Sequence, residues 1–229
     1  MPNRAGLNRL QWDLRTEPFT SFPGMILWGV RTRAPAVPPG EYTVRLTAAG
    51  ATQSAPLRVE RNPWTTGVTD ADLVAQYEFS SRVRDRVTDA NDAVIAIRRV
   101  KAQLEDRLDK SDDPRLKGAG DRLVANASAV EENIYQVRNR SNQDPLNFPI
   151  KVNNRLANLL SMAENGDGPP GNNMPEIFDI LSTELAGYLD RLDEVWATDL
   201  TAVNAELERL RLPPLDPACD NAAGCTTIQ

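Results

Sequence analysis

Histidine is absent from the 229 residues. That removes the commonest general base and the commonest metal ligand together. A basic excess is also missing. The net charge is -6, and the arginines are spread among Asp and Glu, which disfavours a nucleic-acid partner, since phosphate binding wants a basic surface. No apolar run approaches the ~18 residues a membrane span needs. No apolar stretch follows Met1 to Gly6, so the opening does not read as a signal peptide. Only two cysteines occur, Cys219 and Cys225. Their spacing permits a bridge, and a bridge would fit an oxidising compartment. Two free thiols are the alternative.

What is present changes character at Asn62-Pro63. The segment before it reads as strands and turns. Leu10, Trp12 and Leu14 alternate with Gln11 and Asp13, the pattern of a half-buried strand over 8–15. Residues 25–30 form a short apolar run, either strand or buried loop. Pro38-Pro39-Gly40 is a turn that launches Glu41 to Thr47, with Tyr42, Val44 and Leu46 on one face. Ala49-Gly50 turns the chain again, and Leu57 and Val59 close a last strand. Three or four antiparallel strands in some 60 residues are fewer than the ~7 of an immunoglobulin-like sandwich. The reading is a partial sandwich over 1–62, either minimal or lacking its first strands.

Two stretches carry a resemblance. Ala5, Gly6, Leu7, Asn8 and Arg9 lead into Trp12, Asp13, Leu14 and Arg15, and Pro38 to Leu46 follows. Together they resemble the immunoglobulin-like segment near the C-terminus of bacterial secreted sortilin-like, sialidase-repeat β-propeller proteins, often labelled glycosyl hydrolases. The similarity extends through Thr69 to Leu73 and Arg84 to Arg86. In that family the propeller lies upstream, and any catalysis would sit there. The resemblance therefore implies a secreted or periplasmic accessory region whose partner is a protein or the upstream propeller. It carries over no catalytic residue.

From 63 to 212 the periodicity is helical. Thr69 and Asp72 have capping-box spacing, and Val83, Val87, Ala90, Val94, Ile97, Val100, Leu104 and Leu108 keep three- and four-residue steps. A helix from 70 to about 110 follows. Asp113-Pro114 is a helix entry. Leu116, Gly120, Leu123, Ala127, Val130, Ile134 and Val137 then repeat as a heptad, ending near Arg140. A shorter helix is expected over 150–164 and a long one over 175–211. The fold class expected is α+β: the small partial sandwich, then a three-arm, up-down-up bundle over 63–212, then an extended tail over 213–229.

Candidate sites are few. Glu105, Asp106 and Asp109 read as a solvated helix face. A glycosidase pair needs two carboxylates facing across a cleft, and no spacing singles one out. Asn165-Gly166-Asp167-Gly168 lacks the ligand series of a calcium loop. Asn126 and Asn139 open glycosylation sequons on helical sequence. Trp12 reads as core and Trp64 as a plug between the two parts, while Trp28 stays open to exposure. No catalytic, cofactor-binding or metal-ligating residue is assigned, and no cofactor is expected. The function indicated is non-catalytic, an accessory or interaction region. The alternatives are a carbohydrate-active hydrolase fragment using carboxylates and a self-associating structural protein. An unpaired strand at Leu7–Arg15 or a neighbour makes a homodimer through a sheet edge one expected outcome.

Overall fold

The computed structural model describes residues 6–219. The chain is mixed α+β, about 52% helix, with a two-stranded antiparallel sheet. The order is β1 (Gly40–Ala48), β2 (Ala51–Val59), α1 (Asp70–Leu108), α2 (Pro114–Ile134), α3 (Val152–Ala163), α4 (Met174–Val195) and α5 (Thr201–Arg209). A 3-10 turn at Asp144–Leu146 precedes α3, and a π turn at Trp196–Leu200 joins α4 to α5. Thr198 and Thr201 hydroxyls donate to the Glu194 and Trp196 carbonyls there, replacing part of the disturbed helical ladder.

Local signals fix the helix starts. The Thr69 hydroxyl accepts the Asp72 N–H at 3.2 Å, and the Asp72 carboxylate accepts the Thr69 N–H at 2.8 Å, a complete capping box. Asp113 accepts from Arg115 and Leu116 at 2.9 and 3.1 Å, with Pro114 at the first helical position. The stripes are buried as their spacing demands: Val83, Val87, Val94 and Ile97 on α1, and Leu116 and Ile134 on α2, are 0% exposed. Each such side chain contributes about 1.5–3 kcal/mol by leaving water. Gly120 sets how closely α2 approaches α1. A Cβ there would meet Leu104 Cδ2 at 3.1 Å.

Two expectations need correction. Helix α2 stops at Ile134, not near Arg140: Tyr135 turns extended, packs edge-on to Phe22 at 5.1 Å, and its hydroxyl accepts the Ile26 N–H. The strand expected over 8–15 is absent. Leu14 sits at φ 60°, the Trp12 indole donates to Arg15 O at 2.8 Å, and Asp13 accepts the Arg15 N–H. These short-range bonds curl the segment, and a single bridge, Arg15 to Ala36, is its pairing. Residues 25–30 take the loop alternative of the two the sequence left open, with Met25, Ile26, Leu27 and Val30 half-buried. Among the described residues the sandwich is represented by one hairpin.

Residues 15–36 run as a strap over the helices, and Phe19 and Phe22 join the helical core at 5% and 8% exposure. The segment from Pro213 also docks. Gln103 donates to Asp216 O and Cys219 O and accepts from Asp216 N, while Asn204 pairs both ways with Leu215. Leu215 and Cys219 are buried in consequence. Cys219 is disulfide-bonded, and Cys225 lies outside the described residues.

Candidate interaction site

The hairpin is built by its turn. Ala49 and Gly50 both adopt positive φ, 50° and 79°, which is the type I′ geometry that matches strand twist. The register follows: Ala48 opposes Ala51, Val44 opposes Ala55, Tyr42 opposes Leu57 and Gly40 opposes Val59. Alternation then sorts the two faces. One carries Tyr42, Val44, Leu46, Ala55, Leu57 and Val59. The other carries Glu41, Thr43, Arg45, Ser54, Arg58 and the Thr47–Thr52 hydroxyl pair at 3.0 Å.

The apolar face is largely uncovered. Val44 and Leu46 are 50% and 48% exposed, and burial rises only at the base, where Leu57 is half-buried and Val59 is buried. No Cα of either strand comes within 8 Å of a helical Cα. Nine residues per strand carry the hairpin about 30 Å outward. Its base is held by Tyr42, whose hydroxyl donates to Pro38 O at 2.7 Å and whose ring meets Trp12 edge-on at 6.1 Å. Partial desolvation, with Tyr77 nearby, pushes the Tyr42 phenol up.

The strap behind the hairpin is positioned differently. Helix α3 turns its apolar face inward through Leu156, Leu160 and Ala163. Its other face offers Asn154, Asn158, Ser161 and Glu164 to the strap backbone. Asn154 accepts the Trp28 N–H at 2.7 Å and donates to Trp28 O at 3.0 Å. With its amide nitrogen turned toward the strap, Asn158 donates to Trp28 O and Gly29 O. Ser161 accepts the Arg31 N–H and Glu164 accepts the Ala36 N–H, at 3.0 and 3.1 Å. Glu164 also pairs with Arg15 at 2.7 Å, its side chain 5% exposed. The strap thus gets its backbone partners from a helix face instead of from a sheet.

No protein-family model matches the chain, and no curated protein and no solved structure matches it. The residues themselves carry the functional argument.

The residues singled out above fall as follows. Asp106 is bonded by Lys110 and Arg107, and these bonds hold its carboxyl below the usual range. Glu105 and Asp109 are exposed. The 165–168 loop is structural: the Gln76 amide donates to Ala163 O and Gly166 O, and Asp167 accepts from Thr65. Among the described residues no group of three or more acidic or cysteine side chains is placed to hold a metal. Asn126 donates to Asp199 on the surface, whereas Asn139 is buried at 6%. Trp12 is 41% exposed and Trp64 86%, so neither is the core residue or the plug expected; Trp64 follows Asn62, whose side chain accepts its N–H. Trp28 is 37% exposed, its backbone fixed by Asn154.

A cleft of about 500 Å³ opens between the strap and α1, lined by Phe22, Ile95, Arg98 and Gln103. Arg98 is already engaged there. It pairs with Glu131 at 2.7 Å and lies over the Phe22 and Tyr135 rings at 4.6 and 5.3 Å. The α3 polar ladder was missed in the sequence because Asn154, Asn158, Ser161 and Glu164, spaced 4-3-3, lie off the apolar stripe that the periodicity picks out. Its signal was the uncharged Asn154, Asn158 and Ser161 on one line, where a solvated helix face usually carries charge.

Proposed function

We propose that the chain is a non-catalytic docking region of a larger secreted protein: a helical body that holds out a β-hairpin for sheet formation. The observation that carries this is the uncovered apolar face of β1, with Val44 and Leu46 about half exposed on a hairpin that stands clear of the helices. An amphipathic two-stranded ribbon is marginal alone and gains stability from a third strand or a covering layer. The immunoglobulin-like sandwich expected from the sequence is then completed by strands contributed from elsewhere, with the hairpin as one corner of it. The disulfide at Cys219 supports an oxidising compartment, and the resemblance to secreted propeller proteins supplies the kind of parent.

The test removes 41–58 and joins Gly40 to Val59 through an Asn-Gly turn. The expected result is an unchanged helical Tm, with less binding of a hydrophobic dye than the whole chain gives in the same assay. A deletion that melts the helices would make the hairpin a structural part and overturn the reading.

A further inference from the structure

The two edges of the hairpin are not equivalent. A two-residue turn closes on a hydrogen-bonded pair, here Ala48 with Ala51, and bonded and non-bonded pairs then alternate along the ladder. Val44–Ala55 and Tyr42–Leu57 therefore exchange bonds inward. Glu41, Thr43, Arg45 and Thr47 aim their N–H and C=O groups outward from β1. On β2 the outward groups belong to Thr52, Ser54, Pro56 and Arg58. Pro56 has no N–H, so the β2 edge is broken at its centre, the position where proline guards an edge without damaging the inner ladder. The β1 edge is intact.

We infer that the β1 edge pairs antiparallel with β1 of a second copy of this chain, about a two-fold axis at Thr43. This rests on the docking reading above and names its partner. The argument is complementarity in that register. Glu41 stands opposite Arg45 of the second copy, and Arg45 opposite its Glu41, two opposite-charge pairs on the polar face. On the apolar face Tyr42 meets Val44 of the second copy in both directions, an aromatic with a β-branched side chain. Thr43 meets itself on the axis. Moving the axis to Arg45 sets arginine against arginine, and moving it to Val44 sets Arg45 against Thr43, so charge selects one register. The groups needed are accessible. Arg45 enters none of the hairpin's ion pairs, and Glu41 has only a loose contact, 3.7 Å from Arg58 with both side chains about seven-tenths exposed. Such an exposed contact contributes little and yields readily to a better partner. The product is a four-stranded sheet whose two outer edges are both guarded by Pro56, which closes the assembly at two.

Sedimentation of the whole chain over a concentration series tests this. The expected result is a reversible dimer, weakened by salt. Arg45→Glu should weaken it about tenfold or more, by setting like charges opposite in both pairs. The double variant Glu41→Arg with Arg45→Glu should restore it, a rescue that general loss of fold would not give. Pro56→Thr should add species larger than a dimer. A chain that stays monomeric throughout, or a double variant that associates no better than Arg45→Glu alone, overturns the proposal. A monomer whose helical Tm is indifferent to removal of 41–58 overturns the second copy alone and leaves the docking reading standing. A deletion that melts the helices overturns both.

Discussion

On α1, Val83, Val87, Val94 and Ile97 have lost all contact with water, whereas Val44 and Leu46 on β1 keep about half their surface. Both regions are patterned with the same residue types at the proper period. The difference lies in what stands opposite. The apolar face of α1 meets α2, α3 and α4, and the strap adds Phe19 and Phe22. The apolar face of the hairpin is covered only at its base, where Tyr42 meets Trp12 and Val59 is buried. Amphipathic pattern specifies an element and the face to be covered, and the rest of the chain decides whether the cover is internal. In the helical body it is; in the hairpin, among the described residues, most of it is not.

Substitutions of matched kind should separate the two regions. The largest effect is expected for Ile134→Asp, which places an unpaired charge at a fully buried site and should cost about 3–5 kcal/mol in denaturant unfolding. Val44→Asp, the same charge on the hairpin, should stay within about 0.5 kcal/mol. Equal losses at the two positions would mean that the hairpin belongs to the cooperative core.

An intermediate effect is expected at the strap. Asn154→Ala strips the Trp28 N–H of its partner and leaves the Trp28 carbonyl with Asn158 alone, and should cost about 1–3 kcal/mol by the same measurement. Amide exchange at 26–36 should rise with it, since those bonds are what hold the segment down.

The hairpin turn should respond locally. Ala49 holds φ 50°, a conformation that costs an alanine roughly 1 kcal/mol and asparagine less. Ala49→Asn should slow amide exchange across β1 and β2 severalfold while leaving the helical Tm unchanged. A rise in the helical Tm would show that the two regions are coupled.

Acid should weaken the helical body gently. Bonds from Arg209, then from the Leu116 N–H, hold Asp113 below the usual carboxylate range, and bonds from the Arg140 and Ser141 N–H groups do the same for Asp144. A depressed folded value stabilises above the unfolded one, so stability should be flat at neutral pH and decline below about pH 4. Asp113 caps α2 and pairs with Arg209 of α5 at 2.7 Å, so Asp113→Asn should flatten that decline. A titration unchanged by the substitution would remove this contact from the account.

How much of this was legible in the sequence follows from the range of the forces involved. The capping box at Thr69 and Asp72, the Asp113-Pro114 entry and the α1 stripe are set within one or two turns, and they stand where the sequence puts them. The hairpin was equally local, with Tyr42, Val44 and Leu46 on one face. Leu10, Trp12 and Leu14 misled because alternation needs a partner strand, and Asp13 and the Trp12 indole satisfied the backbone by short-range bonds first. The strap was invisible because its partners lie on α3, more than 100 residues away along the chain. The unequal edges of the hairpin were readable only once the register placed Pro56 opposite Thr43.

Native-state amide exchange measured over a range of sub-denaturing denaturant puts the central claim to its most direct test. The account predicts that amides of Tyr42, Val44 and Leu46 exchange by a local opening that is nearly independent of denaturant, well below the global unfolding free energy. Amides of Val94 and Ile97 should exchange only by global unfolding. Hairpin amides that follow the same free energy and denaturant slope as α1 would contradict it, because the hairpin would then be part of the core and not an element held out for a partner.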